Sequence, residues 1–295
     1  MSILFSGTSH PGLAELISKK YKLKLGRREI KKFACQEIYV RLDEDVRGRR
    51  CFILQTSTQN VNEELLEVCL LSDALRRHKA KEIILIMPNF GYARQDRLAE
   101  AGEPISAKVA ADILVCAGIN HIITFDLHSD QIEGFFDVPV DNIKCYSLFA
   151  DYFKKIRLQN PVVVAPDAGA AKIAQRLANL LNCQIAILHK TRPEHHQVEH
   201  THLVDDVKGK TAILFDDMID TAGTICTAAE KLLKQQGAGQ VYIAATHGIF
   251  SGPAKERLAS IKCEEIVVTD TLPIDEKQFP NLKILSVVEL LENIF

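Results

Sequence analysis

The chain has 295 residues, 47% of them apolar and 25% charged, with a net charge of −2 and no tryptophan. That length allows about two domains with sizeable cores, and the balanced charge excludes a surface built for non-specific nucleic-acid binding. No apolar run approaches the roughly 18 residues of a membrane helix, and the start, MSILFSGTSHPG, lacks the basic opening and apolar middle of a signal peptide.

In chain order, a short strand comes first and turns at SGTSHPG. Apolar runs bounded by turn residues follow at 51–55, 83–87, 121–125, 161–165, 184–189, 212–215, 241–246 and 266–269. Helical patterns over 61–78, 105–117, 168–181 and 224–236 separate most of them. Strand alternating with helix predicts an α/β fold with mainly parallel sheets flanked by helices. Runs without polar alternation fit strands covered on both faces. Eight or more core strands are many for one sheet. The stretches VCAGINHIITFDLHS and KQQGAGQVYIAATHGI are also alike, each a helix end, a glycine turn, a strand and a polar tip with a histidine. Two similar halves are therefore expected, domains 1–142 and 143–295, with the boundary in DVPVDNIKCYSL and a final helix at 287–293 packing back on the first half. The eight cysteines are widely spaced with no C-x-x-C pair. Most of them read as small buried apolar residues in a reducing cytoplasm rather than as a zinc or disulfide framework.

Parallel sheets bind ligands beyond the carboxyl ends of their strands, so the strand tips carry the candidate chemistry. In AILFDDMIDTAGTICTAAEKLL, Asp216 and Asp217 end an apolar strand. Such carboxylates can hold magnesium or accept hydrogen bonds from sugar hydroxyls. Asp220, Thr221, Ala222, Gly223 and Thr224 then lead into a helix. Their backbone N–H groups and two hydroxyls can cup a phosphate at the positive helix end, with Gly223 permitting close approach. The competing reading, an N-cap by Asp220 or Thr221, leaves the acidic pair unexplained. In HIITFDLHS, Asp126 and His128 follow a strand at period-two spacing, which would put both on one face, placed for magnesium and a nucleotide phosphate. VVVAPDAGAAKIAQ repeats the design at Asp167, with Gly169 and Ala170 leaving room for a phosphate or sugar; a plain helix cap competes there. In IMPNFGYARQDR, Arg94, Gln95 and Asp96 offer a fork donor, an amide and an acceptor, suited to a purine edge or a polyphosphate, or else form a solvated loop. LHKTRPEHHQVEHTHLVDD holds His195, His196, His200 and His202 without zinc-like spacing. Its opening cations, Lys190 and Arg192, could close over a transferring phosphoryl group. Gly209-Lys210-Thr211 mimics the end of a P-loop, but position 204 is not glycine and a strand pattern follows.

FDDMIDTAGT resembles the phosphoribosyl-diphosphate-binding motif of type I phosphoribosyltransferases. Together with FSGTSHPGLAELI, KKFACQE, YARQD, PISAK, DLHSDQIEGFFDVPVDN, PDAGAAK and THGIFSGPA, in that family's order over nearly the whole chain, it resembles ribose-phosphate diphosphokinase. The resemblance implies two phosphoribosyltransferase-like domains. It implies magnesium-dependent transfer of the β,γ-diphosphoryl group of ATP to ribose 5-phosphate, in the cytoplasm, by a homo-oligomer that is hexameric or dimer-based. Asp220 to Thr224 and Gly169 would bind ribose 5-phosphate, with Asp216 and Asp217 on the ribose hydroxyls. His128, Asp167 and Asp126 would hold or position the metal, and Arg94, Gln95, Asp96 and His128 would face ATP. Lys190 and Arg192 would be the catalytic cations, and Phe33 and Glu37 would reach a neighbouring subunit's adenine site. Cys35 stands where the family usually has asparagine. RLAEAGEP lacks the basic and serine residues of phosphate-regulated members, so weak or absent phosphate activation and weak ADP inhibition are expected. A single-domain phosphoribosyltransferase would not explain YARQD or DLHSDQ. A catalytically silent regulatory partner should have lost Lys190, Arg192, His128 or Asp167, all of which are present.

Overall fold

Short apolar runs with β-branched residues form strands buried on both faces, as in Val162–Val164 and Ile83–Ile86, and the amphipathic segments between them form the covering helices. The structure, a computed structural model, describes residues 2–191, 200–204 and 206–295. The chain divides into two units, one of residues 1–143, 271–273 and 287–295, the other of residues 144–270 and 274–286.

The first unit contains β1 (Ile3–Ser6), α1 (Pro11–Tyr21), β2 (Lys24–Leu25), β3 (Arg28–Lys32), β4 (Ile38–Leu42), β5 (Arg50–Leu54), α2 (Val61–Arg77), β6 (Glu82–Ile86), α3 (Ser106–Cys116), β7 (His121–Phe125) and β8 (Val140–Ile143). Its six-stranded sheet runs β2-β1-β5-β6-β7-β8 and is parallel throughout, while β3 and β4 form a separate antiparallel ribbon. The chain's last residues belong to this unit. Tyr21 Oη donates to Val288 O at 2.6 Å, and the Phe295 ring lies 4.7 Å from Tyr21 and 5.0 Å from Phe52. The α-helix expected at 287–293 is only a 3-10 turn, Val287–Leu291.

The second unit contains α4 (Tyr146–Ile156), β9 (Pro161–Ala165), α5 (Ala171–Leu181), β10 (Gln184–Thr191), β11 (His200–Val204), β12 (Thr211–Ile219), α6 (Gly223–Lys234), β13 (Gln240–Gly248), α7 (Ala254–Ser260), β14 (Glu265–Thr269) and β15 (Leu282–Leu285). Its sheet runs β11-β10-β9-β12-β13-β14-β15, parallel except for the β10–β11 pair. Aligned from β2 and β10, the two sheets share one order: β1 corresponds to β9, β5 to β12, β6 to β13, β7 to β14 and β8 to β15. The two similar-looking stretches therefore compare non-equivalent strands. One ends in β7 and the other in β13, whose counterpart is β6. Any strand that follows a helix and a glycine turn gives that local pattern, so it cannot fix register between repeats.

The core reaches the edge of the candidate site. Phe215, the residue before the acidic pair, packs edge-on against Phe149 of α4 with centroids 5.1 Å apart and both rings buried. Such a pair contributes about 0.5–1.5 kcal/mol beyond its area burial. It fixes the last apolar turn of β12 before the chemistry begins.

Candidate functional site

The acidic pair does not end its strand. β12 continues to Ile219, with Asp216 opposite Ala245 and Met218 opposite His247 of β13. Alternation puts Asp216 on the face of Leu214 and Asp217 on that of Phe215. Asp216 Oδ1 accepts the Asp217 N–H at 2.9 Å. Burial, then the adjacent Asp217 carboxylate, and to a lesser degree Asp167, push the Asp216 carboxyl well above the usual carboxylate range. Three carboxylates thus lie close enough to raise the cost of charge on one of them.

The loop beyond β12 is held by the residues that follow the neighbouring strand β13. Ile249 and Phe250 donate their N–H groups to Ile219 O at 3.0 and 3.1 Å, and Ser251 donates its N–H to Asp220 O at 3.1 Å. The Ser251 hydroxyl donates to Asp220 Oδ1. Ala222 is left-handed, with φ 59°, and occupies the N-cap position of α6 without any side-chain capping bond. The expected alternative, a cap by Asp220 or Thr221, is not what the chain does. The first N–H groups of a helix have no partner within it, so this helix start is organised by backbone shape rather than closed by a side chain. Gly223 has no left-handed φ. A Cβ there would stand 3.2 Å from Arg257 Nη1, and that guanidinium donates to Thr221 O at 2.9 Å.

At the tip of β9, Asp167 Oδ1 accepts the N–H groups of Gly169 and Ala170 at 2.9 and 3.2 Å, just before α5 begins. The cap-like alternative therefore has a geometric basis here, though both bonds use one oxygen. Lys190 lies in β10 opposite Thr201 of β11. Arg192, His195 and His196 lie outside the described residues, and His200 and His202 are placed only as backbone in β11.

In the first unit, Arg94 and Gln95 are exposed beyond β6 and Asp96 is half-buried. Ser106 Oγ donates to Gln95 Oε1 at 2.7 Å. The shared face expected for Asp126 and His128 is not formed. β7 ends at Phe125, Asp126 turns left-handed with φ 35°, and Asp126 is buried while His128 is exposed. Period two holds only while the strand lasts. The ribbon β3–β4 closes with Phe33 N–H on Glu37 O at 2.9 Å and exposes Phe33, Cys35 and Glu37, with the Phe33 ring edge-on to Tyr39 at 5.6 Å.

Two groups of residues escaped the reading of the sequence. Ser251 and Arg257 reach the 220–224 loop from the turn after β13 and from α7, a neighbourhood only the parallel pairing creates. At the tips of β1 and β5, the buried Glu67 accepts from Thr8 N, Thr8 Oγ1 and Gln55 Nε2 at 2.7, 2.7 and 2.9 Å. The buried Glu64 accepts the Thr58 N–H at 2.6 Å. The small polar run SGTS, like DAGA at β9, was the available signal.

Comparison with known proteins accounts for both ends of the chain. Residues 2–118 match the N-terminal domain of ribose phosphate pyrophosphokinase, and residues 192–293 match a phosphoribosyl synthetase-associated domain. The ribose-phosphate pyrophosphokinase of Fusobacterium nucleatum is 45% identical over 98% of this chain and 92% of its own length. That of Corynebacterium efficiens is 47% identical over 98% and 90%. The crystal structure of phosphoribosylpyrophosphate synthetase from Mycobacterium smegmatis superposes with a TM-score of 0.93 at 44% identity, covering 99% of this chain and 96% of that one. On sequence and structure over essentially its whole length, the chain belongs to the ribose-phosphate pyrophosphokinase family.

Proposed function

We propose that the protein transfers the β,γ-diphosphoryl group of ATP to the 1-hydroxyl of ribose 5-phosphate, yielding 5-phospho-α-D-ribose 1-diphosphate and AMP for nucleotide biosynthesis. The carrying observation is the start of α6. A left-handed, side-chain-uncapped helix N-terminus directly follows a strand bearing Asp216 and Asp217. A helix end of this kind favours a phosphate dianion, and adjacent carboxylates favour the hydroxyls of the same sugar. In this assignment the 220–224 loop takes the 5-phosphate, Asp216 and Asp217 take the ribose hydroxyls, and Gly169 lies at the neighbouring strand tip. Full-length identity of 45–47% to ribose-phosphate pyrophosphokinases supports the same reading.

The attack is an in-line displacement at phosphorus, in which protein groups mainly position reactants and neutralise charge. In the first unit, Arg94, Gln95, Asp96 and His128 are assigned to ATP. Phe33 and Glu37, on the exposed ribbon, are assigned to the adenine site of a second copy in a homo-oligomer. Lys190 and Arg192 are assigned to the charge that develops on the transferring group. Magnesium fits the donor set. Asp216 is charged only at a cost that a cation would relieve. Magnesium usually keeps water and substrate oxygens as ligands beside one or two carboxylates. Asp167, and Asp126 and His128 in the first unit, are the assigned side chains, and the ion would supply neutralisation of polyphosphate charge. No described helix is long and apolar enough to cross a membrane, and a cytoplasmic setting is part of the proposal.

Phosphorus NMR of the purified protein with ribose 5-phosphate, ATP and magnesium tests the assignment. AMP appearing together with a C1 diphosphate on ribose supports it. Intact ATP with folded protein would overturn it in favour of a silent regulatory partner.

A further inference from the structure

We infer that Arg257 is a positioning residue for the phosphate-binding loop, acting on ribose 5-phosphate through the Thr221–Ala222 peptide and through its charge; this rests on the assignment of residues 220–224 to the 5-phosphate. Arg257 belongs to α7, which follows α6 and β13 after the loop. It reaches back so that Nη1 donates to Thr221 O at 2.9 Å. In a trans peptide the carbonyl and the following N–H point in opposite directions. A guanidinium holding the Thr221 carbonyl on one side therefore fixes the Ala222 N–H on the other, at the mouth of the helix.

The loop needs such a hold. Ala222 keeps a left-handed φ of 59°, which an L-residue adopts only at a cost, and no side chain caps the helix it starts. Ser251 secures Asp220, one residue before the Thr221 carbonyl, so Ser251 and Arg257 together bracket the turn. The glycine that follows is explained by the same contact. Gly223 has no left-handed φ to require it, and a Cβ would press on Arg257 Nη1 at 3.2 Å. A side chain at 223 would make the guanidinium give way by a few tenths of an ångström and so disturb its bond to Thr221 O. The contact places a positive charge beside the Thr221–Ala222 peptide of the proposed phosphate loop. Lysine could supply the charge but not the planar fork that holds the carbonyl in one orientation.

The test is steady-state kinetics of Arg257→Gln and Arg257→Lys with each substrate varied in turn, beside Thr224→Ala in the loop itself. Loss of a charge-assisted bond and its field should raise KM for ribose 5-phosphate about tenfold or more in Arg257→Gln. KM for ATP should stay within about twofold, and Arg257→Lys should recover part of the loss. A merely structural role would move both KM values together. KM for ribose 5-phosphate within about twofold of wild type in Arg257→Gln, or equal rises for both substrates, overturns the inference. If Arg257→Gln does not fold, Arg257→Lys decides by the same split. Thr224→Ala separates the two levels. If it raises KM for the sugar phosphate while Arg257→Gln does not, only the role of Arg257 fails. If neither does, the loop assignment itself fails.

Discussion

Replacing Asp216 by asparagine should strengthen the fold and weaken the function together. Burial and the Asp217 carboxylate raise the Asp216 carboxyl above its ordinary range, so the folded chain binds that proton more tightly than the unfolded chain does. Between the ordinary carboxylate range and the raised value, the folded state carries more protons, and stability falls as pH climbs through that window. Every tenfold gain in proton affinity on folding corresponds to about 1.4 kcal/mol of stability lost on the high-pH side. Asparagine carries no such penalty and keeps an oxygen for the 2.9 Å bond from the Asp217 N–H. The variant should therefore be more stable than wild type at pH 8 and lose the advantage near pH 4. Its loss is one charged partner to a sugar hydroxyl, about 1.5–3 kcal/mol, or roughly a 10- to 150-fold weaker affinity for ribose 5-phosphate. Urea unfolding at the two pH values and calorimetric titration with ribose 5-phosphate measure the two effects independently. A variant less stable at pH 8, or one binding the sugar phosphate within about twofold of wild type, would refute this account of the acidic pair.

Lys190→Ala should lower kcat by roughly 10²–10³-fold with little change in folding, as expected for a cation serving developing charge; a loss under about fivefold in single-turnover measurements would remove Lys190 from that role. Titration with inorganic phosphate at fixed ATP and ribose 5-phosphate should change the rate by less than about twofold, since Leu98, Ala101 and Gly102 stand in a loop with no serine and few cations. Strong activation would contradict that reading of residues 97–104.

Much of the fold was legible because long periodic segments declare themselves. The helix expected at 61–78 is Val61–Arg77, and that at 105–117 is Ser106–Cys116. β12 outran its apolar run. Asp216 and Asp217 look like turn residues, yet pairing with β13 carries the strand to Ile219, because a ladder between two strands outweighs the local preference of two carboxylates. Asp126 failed in the opposite sense. Its alternation with His128 needed a strand that stops at Phe125. The start of α6 was read correctly as a loop, and the competing cap by Asp220 or Thr221 is not formed, though the left-handed alanine that takes the cap position has no sequence signature. Ser251 and Arg257 were beyond reach because what joins them to Asp220 and Thr221 is sheet order, which no local window contains.

The shared sheet order also bounds how many sugar phosphates one chain can hold. By position, the β5–α2 junction of the first unit is the counterpart of the β12–α6 junction, and the β1–α1 turn is that of β9–α5. In the second unit those junctions carry the 216–224 loop, whose helix start has no side-chain cap, and the DAGA turn, whose Gly169 and Ala170 N–H groups go to Asp167. In the first they are filled from within: Thr58 N–H goes to Glu64, Thr8 N–H goes to Glu67, and the Ser9 N–H goes to Gln55 Oε1 at 3.0 Å. The backbone donors a phosphate would need are thus taken by the unit's own side chains, two of them buried carboxylates at 5% and 4% exposure. A dianion entering there would have to displace these bonds and face like charge in a region of low dielectric, a cost of several kcal/mol that Arg28, which donates to Ser6 O at 2.8 Å at the tip of β1, offsets only in part. Ribose 5-phosphate should accordingly bind once per chain. Calorimetric titration of the free protein should give a stoichiometry near one, and Thr224→Ala should weaken that single site. A second equivalent of comparable affinity that survives Thr224→Ala would show that Glu64 and Glu67 do not close the first unit's tips.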